Sequence, residues 1–300
     1  MRRLKLLLSA LASAALLESC AGGAGTTPLS SAAGIGTAAL EPGVASYKIY
    51  VANFNSNAVT TYTSTGAPTT PTITTGVSEP IGLAVDENGK IYVANFGSGS
   101  ITTYKPNGTQ TTPTITGLSS PNGVAVDEKG KIYVANARNN TVRTYKPDGK
   151  RTTPTISAGI NSPDGVAVDA NGKIYVANYN TNTVTTYKAD GTQTTPTIHA
   201  GVTSPDGVMV NAAGKIFVVN YFGDGTNDFG SLTTYKANGS RTAPTILVGL
   251  DGPQYLALDA RGKFFVTNLQ SNTVTTYKAD GTQTTPTITG LQGPSGIALH

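Results

Sequence analysis

Six residues occupy the middle of a turn, Pro-x-Gly or its counterpart, that recurs along this 300-residue chain: Ile81, Asn122, Asp164, Asp206, Gln254 and Ser295. Three consecutive units carry Asn, Asp, Asp there, and this is the most differentiated column when the units are aligned. Oxygen donors gathered round one axis are what a hard cation such as Ca²⁺ coordinates. Asn122, Asp164, Asp206 and Gln254 are therefore the candidate ligand or metal residues. The same side chains equally suit the capping of their own tight turns, a common task for Asn and Asp.

A second group of oxygen donors lies in the fifth unit, where the interval to the next unit lengthens from 42 to 48 residues. The added run reads Gly223-Asp224-Gly225-Thr226-Asn227-Asp228, and Asp224, Asn227 and Asp228 resemble donors of a loop wrapped round Ca²⁺. The twelve-residue spacing of an EF-hand is absent, and simple loop decoration is the competing reading. Six asparagines, Asn53, Asn95, Asn136, Asn178, Asn220 and Asn268, end one strand of each unit. A sixfold identical ring points to a structural duty, bonding the loop backbone that follows. The next residues are Phe54, Phe96, Ala137, Tyr179, Tyr221 and Leu269, which either pack between units or offer stacking faces to sugars or flat ligands.

Several chemistries are excluded. The two histidines are His199, at the end of an outer strand, and His300, the last residue. Neither a His-based zinc site nor a Ser-His-Asp triad can form from them. The single cysteine, Cys20, lies outside the repeats, and no glycine-rich phosphate loop leads from a strand into a helix. No catalytic residue is assigned.

These side chains are carried by short strands. Lys-Ile-Tyr-Val-Ala-Asn or a close variant begins at Lys48, Lys90, Lys131, Lys173, Lys215 and Lys263, at intervals of 42, 41, 42, 42 and 48 residues. In the best-preserved unit, 165–169 and 173–178 are too short for helices, rich in Val, Ile and Tyr, and joined by Asp169-Ala170-Asn171-Gly172, a tight-turn sequence. A third strand covers 183–188. A fourth, around 196–198, begins with proline and so belongs on an outer edge. A period in the low forties made only of strands predicts an all-β, six-bladed β-propeller with four strands per blade. The near-continuous apolar inner strands fit blades stacked face to face, and the Thr-rich third and fourth strands are expected toward the rim. The chain starts its repeats on a second strand and ends on a lone first strand, so one C-terminal strand is expected to close the ring with three N-terminal ones.

The ring is expected over 48–300, with 1–47 separate from it. Met1-Arg2-Arg3-Leu4-Lys5 is basic and 6–17 is apolar, too short to span a bilayer and the size of a secretory signal. Leu17-Glu18-Ser19-Cys20 resembles a bacterial lipoprotein signal, which implies a signal peptide at 1–19, lipidation of Cys20, and a flexible tether to residue 47. The competing reading is an ordinary signal cut one or two residues later, leaving a soluble periplasmic or secreted protein. Residues 21–46 are rich in Gly, Ala and Ser and would reach roughly 25–30 Å. Ala21 rather than Asp after the cysteine implies, by the same resemblance, the outer membrane, facing the periplasm or the cell surface. The full chain has a net charge of +4; without Arg2, Arg3, Lys5 and Glu18, 18 basic and 16 acidic side chains leave +2. No nucleic-acid partner is expected from that balance, and the membrane is reached through the anchor alone.

The run from Ser162 through Asn178, SPDGVAVDANGKIYVAN, resembles an NHL repeat, and the likeness extends over all six units. The resemblance implies a six-bladed binding platform for protein, RNA or small ligands. Asn178 and its equivalents depart from the usual Asp, and Thr185 stands where a basic residue is usual. The units are also similar to the senescence-marker-protein and gluconolactonase group. That similarity implies a divalent metal held by a Glu, an Asn of Asn-Gly and an Asp of Pro-Asp-Gly. Asn122-Gly123 and Pro163-Asp164-Gly165 match two of these, Pro205-Asp206-Gly207 offers a second Asp, and the Glu has no match, since Gln254 and Ser295 hold the slots across the ring. The streptogramin lyases are similar in repeat, but their histidine chemistry has no counterpart here.

The sequence is thus read as a non-catalytic binding propeller of the bacterial cell envelope, monomeric, taking a small molecule, a glycan or an envelope protein. Two alternatives stand beside it: a Ca²⁺-dependent hydrolase or lactonase, and a structural spacer.

Overall fold

The computed structural model describes residues 46–222 and 229–300. Cys20 and the candidate loop residues Asp224, Asn227 and Asp228 lie outside the described residues. Twenty-four strands form six four-stranded antiparallel sheets, and the only helical pieces among the described residues are two single 3-10 turns. No described helix is long and apolar enough to cross a membrane.

Blade 1 is assembled from both ends of the chain: Pro294–Leu299, then Lys48–Asn53, Ala58–Thr63 and Pro68–Ile73. Blades 2 to 6 are continuous and begin at Pro80, Pro121, Pro163, Pro205 and Pro253. The closing strand pairs Val51 with Ile297 and Tyr50 with Ala298, so no sheet edge is left at the seam. Tyr47 belongs to the ring as well. Its ring meets Phe265 edge-on at 6.0 Å and its hydroxyl donates to Asp259 at 3.3 Å, as tyrosines of blades 2 to 4 do to their own aspartates.

The second strand of blades 2 to 6 is buried from end to end, and that of blade 1 at all but Lys48, because side chains on both of its faces meet a neighbouring blade. The third strands are also largely buried, completely so in blades 2, 4 and 5, contrary to the expectation of a polar rim. The outermost strand supplies the reason. It runs Gln193–Ile198 in blade 4, starting before Pro196, and its register slips at the proline, which freezes a carbonyl out of the ladder. Third-strand threonines take up these carbonyls: Thr103, Thr144 and Thr186 each donate at 2.8 Å to the carbonyls of Pro113, Pro154 and Pro196. Thr61 and Thr276 do the same for Pro71 and Pro286. Threonine is therefore a buried donor here rather than a solvent-facing residue.

The innermost strands place the site. Each slips register just after its opening proline, as between Pro163 and Val166, so the x-Gly pair leaves the ladder. Such a bulge re-aims side chains. Neighbouring x-Gly segments pack edge to edge: a Cβ on Gly123 would come within 2.4 Å of the Asp164 carbonyl oxygen, and one on Gly165 within 2.5 Å of that of Asp206. Only glycine permits this approach. The x residues are consequently held close together round the axis.

Candidate functional site

The mouth of the ring on the face of the Pro-x-Gly turns, the upper face, holds a cavity of about 280 Å³ lined by Ile81, Asn122, Asp164, Asp206, Gln254, Tyr179, Tyr221 and Leu269. Asn122, Asp164, Asp206 and Gln254, singled out from the sequence, all meet there. So do three residues of the column that follows the strand-ending asparagines. Ser295 has turned away; it is buried and donates to the Pro80 carbonyl at 2.7 Å. Phe54 and Phe96 lie against each other at 6.4 Å, outside the cavity lining.

The six asparagines have a structural role, as expected, but bond a different loop. Asn178 Oδ1 accepts from the Asn161 backbone N–H, in the segment leading into its own blade, while Nδ2 donates to Thr185 at 2.9 Å. Asn95, Asn136, Asn220, Asn268 and Asn53 receive the equivalent backbone bond. They hold the entry of each first strand against its second.

The polar residues of the cavity are poorly satisfied. Asn122 Nδ2 donates to Asp164 Oδ1 at 2.6 Å, leaving its own Oδ1 buried without a hydrogen-bond partner. Asp206 is 4% exposed, and no described group donates to its carboxylate. Burial pushes the Asp164 carboxyl up to about 7, with the Asn122 bond opposing the shift. Burial, and then the charge of Asp164, hold Asp206 well above the usual carboxylate range. Among the described residues, no Lys, Arg or His lines the cavity. Two carboxylates that cannot both ionise cheaply are thus placed side by side in a wall without a counter-charge among the described residues.

Sequence reasoning missed one contributor to the site. Blade 6 breaks the glycine rule: Tyr255 stands where the other five blades have Gly82, Gly123, Gly165, Gly207 and Gly296. Thr267 compensates where the other blades have Ala or Val. Its Oγ1 accepts from the Tyr255 N–H at 3.0 Å and donates to the Ser295 carbonyl, knitting blade 6 to blade 1. The tyrosine hydroxyl reaches two blades across the ring, to 3.5 Å from the Asp164 carbonyl oxygen. Burial raises its pKa well above normal, and the charges of Asp164 and Asp206 add to the shift. Tyr255 therefore lies in the axial channel close to both carboxylates. The signal was present in the sequence as Pro253-Gln254-Tyr255, the one unit without glycine after x.

A family model of the NHL repeat matches residues 118–145 and 161–187, which lie in blades 3 and 4. The protein is a six-bladed β-propeller carrying NHL repeats. Solved propellers share the architecture. A chain in the crystal structure of a nidogen/laminin complex superposes with a TM-score of 0.68 at 18% identity, over 84% of this chain and 98% of that one. The virginiamycin B lyase of Staphylococcus aureus gives 0.62 at 14%, over 83% and 84%. A Bacteroides caccae protein of unknown function gives 0.67 at 12%, over 85% and 99%. At such identities the likeness is one of fold. No curated protein matches the chain in sequence.

Neither histidine of the propeller is at the cavity: His199 is exposed at the end of an outer strand, and His300 sits at the opposite face with Nε2 3.4 Å from the Glu87 carbonyl oxygen. Among the described residues, no three His, Cys, Asp or Glu side chains gather to hold a metal ion. The donors available to a cation are the carboxylates of Asp164 and Asp206, the amide oxygens of Asn122 and Gln254 and the hydroxyls of Tyr179 and Tyr221, a set that reaches the six to eight oxygens of a Ca²⁺ shell when both carboxylates are bidentate.

Proposed function

We propose that this protein is a non-catalytic binding propeller whose upper cavity takes a positively charged ligand. The observation that carries this reading is the pairing of Asp164 and Asp206 in a cavity wall with no Lys, Arg or His among the described residues. A ligand cation would supply the missing counter-charge, and both carboxyls would then ionise. The basic start, the apolar stretch 6–17 and Cys20 support export and a lipid anchor at the bacterial envelope, where such a ring would bind a small molecule, a glycan or an envelope protein. Incorporation of labelled palmitate, lost in Cys20→Ser, tests the anchor.

Binding is tested by thermal denaturation at pH 8 with Ca²⁺, spermidine and 2-phenylethylamine supplied in turn. At least one cation is expected to raise the Tm of the wild type and to leave the double variant Asp164→Asn, Asp206→Asn unmoved. No response to any of the three overturns the reading.

A metal-dependent hydrolase is the second reading, favoured by the contact of Asn122 with Asp164 in neighbouring blades. It requires a stability gain from Ca²⁺ that a chelator reverses.

A further inference from the structure

We infer that the cavity's ligand is a small organic ammonium ion, its charged head between Asp164 and Asp206 and its apolar or aromatic body against Tyr179, Tyr221 and Leu269. This inference rests on the cation reading above and names the chemical class of the cation.

The donor and acceptor inventory fits. An alkylammonium presents three N–H donors and no acceptor. Once its carboxyls are ionised, the cavity presents acceptors without protein donors: the Asp206 carboxylate, to which no described group donates, the buried Asn122 Oδ1, and the second oxygen of Asp164, whose Oδ1 alone is engaged. An unpaired buried acceptor costs free energy that an incoming donor recovers. Neutral alcohols or sugars would bring further acceptors into a site that already has too many.

The walls argue against a bare metal ion. Four of the eight lining residues, Ile81, Tyr179, Tyr221 and Leu269, present aliphatic or aromatic surface. A hard cation gains nothing from this apolar surface. An ammonium head on a hydrocarbon body uses both halves. Tyrosine rings attract cations through the faces of their π-systems, and they cover the apolar part of the ligand. A volume of about 280 Å³ lies just under the range of drug-sized pockets, which suits a compact amine and excludes a polymer in extended form.

The charged groups round the head are Asp164 and Asp206, with Tyr179, Tyr221 and Tyr255 the other ionisable side chains near them. Because both carboxyls resist ionisation, an ammonium ion must displace a proton at neutral pH, so binding strengthens as pH rises from 6 to 8. A one-proton exchange gives about tenfold in affinity per pH step of one.

The experiment is calorimetric titration of the mature chain at pH 8 with 2-phenylethylamine, its neutral counterpart 2-phenylethanol, and CaCl₂. The amine is expected to bind one to one and the alcohol at least about tenfold more weakly, the minimum for loss of one charged contact. Tyr179→Leu with Tyr221→Leu is expected to weaken the amine about 5- to 30-fold, whereas Tyr179→Phe with Tyr221→Phe, which keeps the rings, restores it. Circular dichroism verifies that each variant is folded. Ca²⁺ binding without amine binding overturns the inference and leaves the cation reading standing; binding of neither overturns both. Equal binding of the alcohol, or amine affinity indifferent to the leucine pair, also overturns the inference.

Discussion

Aspartates line both faces of this ring, and the two faces treat them in opposite ways. On the lower face each aspartate opens the turn between the first and second strands. Asp169 Oδ1 accepts from the backbone N–H groups of Asn171 and Lys173 at 2.9 Å, and its Oδ2 from the Tyr175 hydroxyl at 3.2 Å. Asp86 and Asp127 repeat the pattern, and Lys90, Lys131 and Lys173 lie 5.3–5.4 Å over the same tyrosine rings. On the upper face Asp164 has one donor and Asp206 has none described. Repetition satisfies a carboxylate where it builds the fold; the unsatisfied pair marks the place where the blades differ. Opposite signs should follow when the two kinds of aspartate are replaced.

The largest effect is expected on the lower face. Asp169→Ala strands two backbone N–H groups and a tyrosine hydroxyl and should cost about 2–3 kcal/mol in urea unfolding; a loss below about 0.5 kcal/mol would erase the distinction between the faces. Asp206→Asn removes a buried charge without removing a described bond. In the absence of ligand it should gain about 1–2 kcal/mol at pH 8. Both upper carboxyls titrate above their unfolded value of 3.8, so the stability they contribute is fully present below about pH 4 and is lost as pH rises through their raised values, about 7 for Asp164. The wild-type Tm should accordingly fall between pH 5 and pH 8 relative to Asp206→Asn, and the two curves should meet in acid. The smallest change is expected for Tyr255→Phe, whose long hydrogen bond to Asp164 should be worth less than about 0.5 kcal/mol. A larger loss would show that the axial tyrosine braces the upper pair.

Much of this was legible in the chain because the repeat is written in strands too short to be anything else. Six recurrences of Lys-Ile-Tyr-Val-Ala-Asn or a close variant count the blades, and the phase of 294–299 against 48–53 closes them. The x column located Asn122, Asp164, Asp206 and Gln254 because the bulged x-Gly turn is the same in each blade and only its side chain varies. Other features depend on contacts between units and have no local signature. The burial of Thr103 or Thr186 follows from a carbonyl released on the adjacent strand, and the isolation of Asp206 follows from what its neighbours fail to offer. Tyr255 was visible as a missing glycine, but its reach across the axis to blade 4 was not.

Lys48 and His300 exchange backbone hydrogen bonds at 2.7 and 3.1 Å, and Tyr47 rests on Asp259, so the described chain enters and leaves the ring together on the lower face. The cavity opens on the other. A bead or a dye joined directly at residue 46 or at His300 would thus sit behind the disc and leave its binding side turned outward, without competing for the space a ligand must cross.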